Sequence, residues 1–237
     1  MTDWNNKEEV LEAVRADGMS LEHASVELRA DREVVMAAVN NDSWAFQFAS
    51  EEIRNDREVT EEAFYGGNQN DASGLAFASE ELKDNKGFII DLFSTVELER
   101  LCPDDLSYVS ETLRDDKELV LLAMKNGYCL EHASERLRGD KEVVLAAIKG
   151  FDDILGMAAQ YGTIDEEVFD NFFPLRFASK ELRANREVIL AVFTYGETFI
   201  YSEYFTDLNI DIFKWEEFDK DGNLTITEEY NNGKLIE

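Results

Sequence analysis

The 237-residue sequence has only two prolines, two cysteines and two histidines, and each shortage excludes something. Few prolines favour helices, because proline breaks a helix interior. Cys102 and Cys129 form no CxxC pair, which argues against a disulfide framework or a cysteine zinc site and is typical of a reducing compartment. His23 and His132 are nearly the whole supply of side chains that act as general bases near neutral pH.

Positive charge is also scarce, with 23 Lys and Arg against 52 Asp and Glu and a net charge of −29. Such a chain repels phosphate backbones and anionic lipid, so we expect no direct nucleic-acid partner and no membrane partner. The longest stretch without charge, Ile154–Ile164, has 11 residues, whereas a bilayer span needs roughly 18. The first residues lack the basic and apolar regions of a signal peptide, so we expect a cytoplasmic protein.

Hydrophobic residues are plentiful by contrast, at 44% of the chain, and include 16 Phe, 8 Tyr and 3 Trp. Acidic disordered chains lack aromatic residues, so this composition predicts a folded protein with a sizeable core. A repeat organises that core, since the segment LEHASVELRADREVVMAAV at Leu21–Val39 recurs as LEHASERLRGDKEVVLAAI at Leu130–Ile148.

We number the six regular copies as units 1 to 6 in chain order. They are Leu21–Val39, Phe46–Phe64, Leu75–Phe93, Leu106–Met124, Leu130–Ile148 and Leu175–Phe193. A half unit opens the chain at Asn6–Val14, and a degenerate copy runs over Leu155–Phe173, where Gln160 to Ile164 replaces the Glu-Leu-Arg segment. Insertions follow unit 2 at Tyr65–Ser73 and unit 3 at Ser94–Asp105.

Each copy predicts two short helices separated by one polar residue. In unit 1, Leu21, Ala24 and Leu28 share one helix face, and Val34, Val35, Ala38 and Val39 share another. The residue between the two patterns is always Asp or Asn, which are strong helix N-caps. The eight predicted structural caps are Asn6, Asp31, Asp56, Asn85, Asp116, Asp140, Asp165 and Asn185. Since one unit cannot bury its apolar face alone, residues 1–193 predict a mainly α fold, an α-solenoid of about seven units plus the half unit.

The repeated string LxxAS followed by ELRxD[KR]EVVLAAV resembles a bacterial and protist repeat family that is catalogued as a domain of unknown function. The resemblance covers about residues 6–193 and recurs in register. It implies tandem helical pairs, and it implies no activity.

The last part of the chain follows another pattern. Residues 194–213 are rich in aromatic residues and predict a cap or linker that covers the final core face. Residues 214–237 contain the turn dipeptides Asp221-Gly222 and Asn232-Gly233 between alternating segments, which predicts a small C-terminal antiparallel β-meander. This tail resembles MORN-like hairpin repeats found in the antitoxin component of some toxin–antitoxin pairs.

No catalytic motif stands out. GxxxxGK[ST], GxGxxG, GxSxG and HExxH are absent. The repeat position of His23 and His132 holds Phe, Tyr or Met in the other copies, which indicates a packing position rather than a base or a ligand. We therefore expect no enzyme activity and no cofactor.

The basic residues are ordered, since 12 of the 23 occupy two positions of the units, one on each side of the cap. The pre-cap residues, two positions before the cap, are Arg29, Arg54, Lys83, Arg114, Arg138 and Arg183, and the post-cap residues, directly after it, are Arg32, Arg57, Lys86, Lys117, Lys141 and Arg186. Stacking places them beside acidic residues of the next unit and leaves the other surfaces negative.

The most negative stretch, Gly150–Pro174, has no basic residue and six acids, which are Asp152, Asp153, Asp165, Glu166, Glu167 and Asp170. These residues are candidates for binding a protein partner with a basic surface. Two interpretations share this chemistry: a non-catalytic interaction scaffold, and an antitoxin-like or immunity-type inhibitor that blocks the nucleic-acid site of a nuclease by mimicking its charge. A third interpretation, a calcium-responsive module, rests on the tail, and a surface that serves solubility alone stays open as well.

The calcium interpretation concerns Asp219, Asp221 and Asn223, which match positions 1, 3 and 5 of an EF-hand loop. Position 6 holds Leu224 instead of glycine and position 12 holds Tyr230 instead of glutamate, so we favour a plain hairpin turn. We predict that millimolar Ca²⁺ leaves the thermal melting curve unchanged beyond the effect of the same concentration of Mg²⁺. A rise in melting temperature with Ca²⁺ alone would establish the metal site.

Overall fold

The structure is a computed structural model, and it describes residues 2–65, 74–95, 105–124, 128–161, 174–183, 185, 187, 188, 191, 213–218, 224–231 and 234–236. In the helical array, the long helices of the half unit and units 1 to 5 follow their caps. They are Lys7–Ala16, Arg32–Asn41, Arg57–Tyr65, Lys86–Thr95, Lys117–Ala123 and Lys141–Tyr161. Each begins where an Asp or Asn side chain meets the open N–H groups of a first turn, as at Asp31, which accepts from Glu33 and Val34.

The first half of each unit differs from the predicted single helix. It consists of a 3₁₀ segment followed, after an extended residue, by one helical turn. The 3₁₀ segments are Gly18–His23, Ser43–Phe48, Gly74–Phe77, Asp105–Tyr108 and Tyr128–His132, with an α-turn at Pro174–Phe177 in unit 6. The following turns are Leu28–Ala30, which is 3₁₀, and the α-turns Glu51–Arg54, Glu80–Lys83, Glu111–Arg114, Glu135–Arg138 and Lys180–Arg183.

The prediction of one helix there was wrong because the pattern LxxAS, which recurs in the units, contains an extended residue that interrupts the helix. In unit 2, Ala49 is extended, with φ −63° and ψ 153°, and Ser50 begins the next turn by accepting the N–H of Ile53 through its hydroxyl. A serine that bonds to the backbone three residues ahead competes with a continuous helix. The spacing of the apolar residues still serves burial, since Phe46, Ala49 and Ile53 all lie in the core.

Unit 6 meets unit 5 directly, although the degenerate copy lies between them in the sequence. The Ser179 N–H of unit 6 donates to the Arg138 carbonyl of unit 5 at 2.9 Å, so unit 6 stacks directly on unit 5. Residues 155–161 of the degenerate copy continue the 21-residue helix Lys141–Tyr161, and the rest of this copy lies outside the described residues. Its sequence has neither the serine nor the two basic residues that the regular units use to meet their neighbours.

The core runs from unit to unit. Buried side chains of the half unit and of units 1 and 2 form one cluster, and those of units 3 to 6 form a second. Phe64 of unit 2 packs against the second cluster, where its ring lies 6.5 Å from that of Phe93, and Phe77 of unit 3 packs against the first. None of the helices in the described ranges is both long and apolar enough to cross a bilayer.

Beyond the array the backbone has three antiparallel strands, β1 Phe213–Phe218, β2 Leu224–Asn231 and β3 Lys234–Ile236, in the order β1-β2-β3. The predicted fold class, a helical array with a C-terminal β-meander, is nevertheless corrected in its second part. The part whose packed core is described, residues 2–191 apart from the gaps, is helical and contains no strand. The helical array therefore defines the fold, and a β-meander is not established as a component of it.

Two glycines allow the units to pack closely. A Cβ on Gly18 would lie 2.5 Å from the Ala38 carbonyl oxygen, and one on Gly74 would lie 2.4 Å from the Ala63 Cβ. We predict that Gly18→Ala and Gly74→Ala each lower the free energy of unfolding by about 1–3 kcal/mol, the usual cost of overpacking. Urea denaturation followed by circular dichroism measures this loss.

Gly87 supplies the control for this prediction. Beyond the adjoining residues and the backbone of its own helix, the nearest atom to a Cβ there would be Asn85 Oδ1 at 3.6 Å. Gly87→Ala should be neutral or stabilising by up to about 1 kcal/mol, as for other helical glycines. Equal losses for all three variants would contradict the close-packing explanation.

Candidate interaction surface

The caps of the long helices have a second role, because their other oxygen binds the preceding unit. In unit 5, Oδ1 of Asp140 accepts from the N–H groups of Glu142 and Val143, while its Oδ2 lies 2.8 Å from the post-cap Lys117 ammonium of unit 4. Lys117 also reaches Glu142 at 2.8 Å. One carboxylate thus starts its own helix and holds the neighbouring unit.

The same arrangement recurs along the array as a ladder of ion pairs. Lys7 binds Asp31 and Glu33, Arg32 binds Asp56 and Glu58, and Lys86 binds Asp116 and Glu118. These side chains are partly exposed, so each pair is screened by water and salt. The post-cap residues thus pair with acidic residues of the next unit, as their position in the repeat predicts.

The ladder changes where the cap is Asn. Unit 3 has Asn85 as its cap and Gly87 in place of the usual glutamate, so the post-cap Arg57 pairs instead with Asp91 at 3.2 Å and lies over the Phe88 ring. Unit 6 has the cap Asn185, and Lys141 pairs with Glu187. Asparagine caps a helix as aspartate does, but it brings no charge for the cation.

The pKa values of the caps reflect both bonds. The Lys117 ammonium lowers the pKa of the Asp140 carboxyl against the effect of partial burial, and the Val143 N–H adds to the lowering. The Lys86 ammonium does the same for the pKa of Asp116. Conversely, the carboxylates raise the pKa of Lys86 and of Lys117.

A second contact between units was not predicted. At each of six junctions, a serine N–H donates to a backbone carbonyl of the preceding unit at 2.9–3.1 Å. The donor and acceptor pairs are Ser25 and Trp4, Ser50 and Arg29, Ser79 and Arg54, Ser110 and Lys83, Ser134 and Arg114, and Ser179 and Arg138. The signal was present in the sequence, because the serine and the pre-cap residue recur in every regular unit.

The serine hydroxyl forms hydrogen bonds within its own unit and, at some junctions, with the preceding unit. It accepts the N–H of the residue three positions ahead, as Ser134 does from Leu137 at 3.2 Å. At three junctions it also donates to the side chain that precedes the cap of the preceding unit, as Ser79 does to Asn55, Ser110 to Asp84 and Ser134 to Asp115. The Ser134 hydroxyl, followed by Arg136, lowers the pKa of Asp115.

The pre-cap side chains lie across the same junctions but form fewer bonds. The Nε of each of the five arginines, Arg29, Arg54, Arg114, Arg138 and Arg183, is buried without a hydrogen-bond partner. Arg54 Nη1 lies 3.4 Å from the Phe77 carbonyl oxygen of the next unit. The sixth residue, Lys83, pairs with Glu80 inside its own turn. The predicted pairing with acids of the next unit therefore holds for the post-cap residues and was wrong for the pre-cap residues among those described.

Seven of the eight predicted caps lie at helix starts and accept first-turn N–H groups. They are Asn6, Asp31, Asp56, Asn85, Asp116, Asp140 and Asn185. Asp165 lies outside the described residues, as do the partner-binding candidates Glu166, Glu167 and Asp170 and the calcium candidates Asp219, Asp221 and Asn223. Asp152 and Asp153 lie in the helix Lys141–Tyr161, of which only the backbone is described at these positions.

Within the described residues, no group of three or more His, Cys, Asp and Glu side chains is arranged to hold a metal ion. His23 lies at the surface, 3.3 Å from a Glu22 oxygen and with its ring 5.1 Å from that of Trp4. It is therefore more exposed than a packing position implies, with 55% of its side chain accessible.

This geometry defines a class, a mainly helical repeat protein whose short units stack through recurring junctions. The family described as "Domain of unknown function (DUF4116)" matches residues 6–54, 31–65, 100–138 and 116–159, which together span just over half of the chain. The chain belongs to this family, so the predicted membership in a repeat family of unknown function is confirmed. No curated protein and no solved structure matches the chain, and the resemblance of the tail to MORN-like repeats has no support from these comparisons.

We predict that Asp116→Asn with Asp140→Asn makes the stability of the protein less sensitive to acid. Both carboxyls have a lowered pKa when folded, so their contribution is present above the unfolded pKa of about 3.9 and is lost as pH falls through the folded pKa. Urea denaturation between pH 7 and pH 2 should therefore show a steeper acid decline for the wild type than for the variant.

A second pair of substitutions separates the two roles of the caps. Asp116→Ala with Asp140→Ala also removes the caps and should cost a further ~1 kcal/mol per site at neutral pH, beyond the asparagine variant. The difference between wild type and the asparagine variant should shrink in 1 M salt, whereas the further loss on going to alanine should persist. Parallel pH curves for wild type and the asparagine variant would contradict the ion-pair role.

Proposed function

We propose that the chain is a non-catalytic interaction scaffold that binds a protein partner with a basic surface. The observation that supports this proposal is the ladder, because it engages Lys7 of the half unit and five post-cap cations, from Arg32 to Lys141, with carboxylates of the array itself. The basic residues are few, so carboxylates outnumber the cations that remain on the surface. A partner with clustered Lys and Arg is attracted by such a surface over long range.

The repeat architecture also supports a binding role rather than catalysis. Stacked units present an extended surface, and binding to such surfaces needs no enclosed pocket. One groove among the described residues, bordered by Arg15, Arg32, Met36 and Asn40, is open to solvent and not enclosed. The six acids at Asp152, Asp153, Asp165, Glu166, Glu167 and Asp170 are the proposed docking residues, since no basic residue interrupts their segment.

We predict that neutralising these six acids to Asn and Gln weakens the binding of a fluorescein-labelled peptide with a Lys at every third position. The expected loss is about tenfold at low salt, because several charge pairs are removed together. Fluorescence anisotropy at several salt concentrations measures the affinity and its dependence on salt.

The matched control neutralises six exposed glutamates elsewhere, Glu8, Glu12, Glu51, Glu52, Glu131 and Glu135, each to Gln. This variant loses the same charge but should keep most of the affinity. An equal loss in both variants would show that the acidic surface acts only through its total charge. Competition by DNA for a full-length basic partner would favour the inhibitor interpretation over a general scaffold.

A further inference from the structure

The pre-cap side chains form a row that runs along the array, one residue per unit, at Arg29, Arg54, Lys83, Arg114, Arg138 and Arg183. We call it the pre-cap row. Its position is fixed by the junctions, because the carbonyl of every member up to Arg138 accepts the serine N–H of the following unit. The row is therefore as regular as the stack itself.

Most of the row lacks an acidic partner among the described residues, although the chain has more than twice as many acids as bases. Lys83 pairs only with Glu80 of its own turn. In the described part of the chain, Arg29, Arg138 and Arg183 form no ion pair, and Arg114 comes only within 3.9 Å of Glu111. The post-cap cations of neighbouring positions are all paired where they are described. Arg29, Arg138 and Arg183 are half-buried and their Nε atoms are buried, yet no carboxylate of the described residues pairs with them. Their positive charge is therefore not neutralised by an ion pair.

Aromatic side chains accompany the row. At each junction, the residue two positions before the serine is His23, Phe48, Phe77, Tyr108, His132 or Phe177, and none of these is fully buried. Arg54 reaches the Phe77 carbonyl oxygen, and the Phe77 ring lies 5.4 Å from that of Trp44. Arginine and aromatic residues are the types enriched at the centres of protein–protein interfaces.

We propose that the pre-cap row, with the aromatic residues beside it, binds an extended acidic peptide segment of another protein. Packed helices lie about 8–10 Å apart, and an extended chain advances about 3.3 Å per residue. One carboxylate at every third residue of the segment therefore meets one cation per unit. The inference goes beyond the proposed function, because it concerns a different surface of the opposite charge.

A peptide suits this surface better than a nucleic acid does. A nucleic-acid strand carries a charge at every phosphate and would be repelled along its whole length by a chain of net charge −29. A peptide with a carboxylate at every third position brings few charges and offers apolar side chains to the aromatic residues between them.

The test uses the full chain and a fluorescein-labelled 15-residue peptide of five Glu-Leu-Ser repeats, with the Gln-Leu-Ser peptide and a 15-nucleotide single strand as comparisons. Anisotropy should show binding of the glutamate peptide at least about tenfold tighter than of the other two probes, a difference that several charge pairs supply. Equal binding of the two peptides, or tighter binding of the single strand, would overturn the proposal.

Substitutions in the pre-cap row test whether the row itself binds the glutamate peptide. Arg29→Gln with Arg138→Gln and Arg183→Gln should weaken the glutamate peptide about tenfold, whereas replacing the same three residues by Lys should cost at most about threefold. The control removes three exposed cations elsewhere, with Arg15→Gln, Lys149→Gln and Lys180→Gln, and should bind as the wild type does.

Equal loss in the row variant and in the control would overturn the proposal. If the triple Gln variant does not fold, the three single variants give the answer, with about twofold loss expected for each and no loss overturning the proposal. If the glutamate peptide does not bind selectively, the result for the lysine peptide is unaffected, so the two proposals are tested separately.

Discussion

One backbone hydrogen bond, from a serine N–H to a carbonyl of the preceding unit, sets the geometry on which the array depends. It occurs at six junctions with nearly the same length. Because it joins main-chain groups, it fixes the distance between units whatever the neighbouring side chains are. The same serine also starts the next helical turn, so the contact between units and the local fold of a unit are formed by one residue.

The Asp caps also combine two contacts in one side chain, since each caps a helix and pairs with a cation. An Asp at the start of a long helix offers one oxygen to its own first turn and the other to the preceding unit, as Asp116 and Asp140 do. Replacement by Asn keeps the first bond and redirects the cation, which explains why Arg57 turns to Asp91 and the Phe88 ring. The aspartate and asparagine caps therefore have different consequences for the stack, although they are equivalent for the helix.

Much of the array was predictable from the sequence, because its causes are local. The caps depend on one side chain and the three N–H groups after it, and the core depends on the apolar spacing. The split first helix was missed, since the spacing of Phe46, Ala49 and Ile53 suits both a helix and two turns joined by an extended residue. The junction bonds join residues 20 or more positions apart, and helical periodicity carries no information on such contacts. For the same reason it does not show which arginines remain unpaired.

The direct stacking of unit 6 on unit 5 has a wider consequence. Ser179 follows Arg138 by 41 residues, whereas the other junction partners are 20 to 27 residues apart, yet the bond between them has the ordinary length of 2.9 Å. Loop closure costs only about 0.6 kcal/mol for each doubling of length, so extra polypeptide between units lowers the folding stability only slightly. Such an architecture can accept whole additional segments, and so gain new surfaces during evolution, while its order of assembly stays the same.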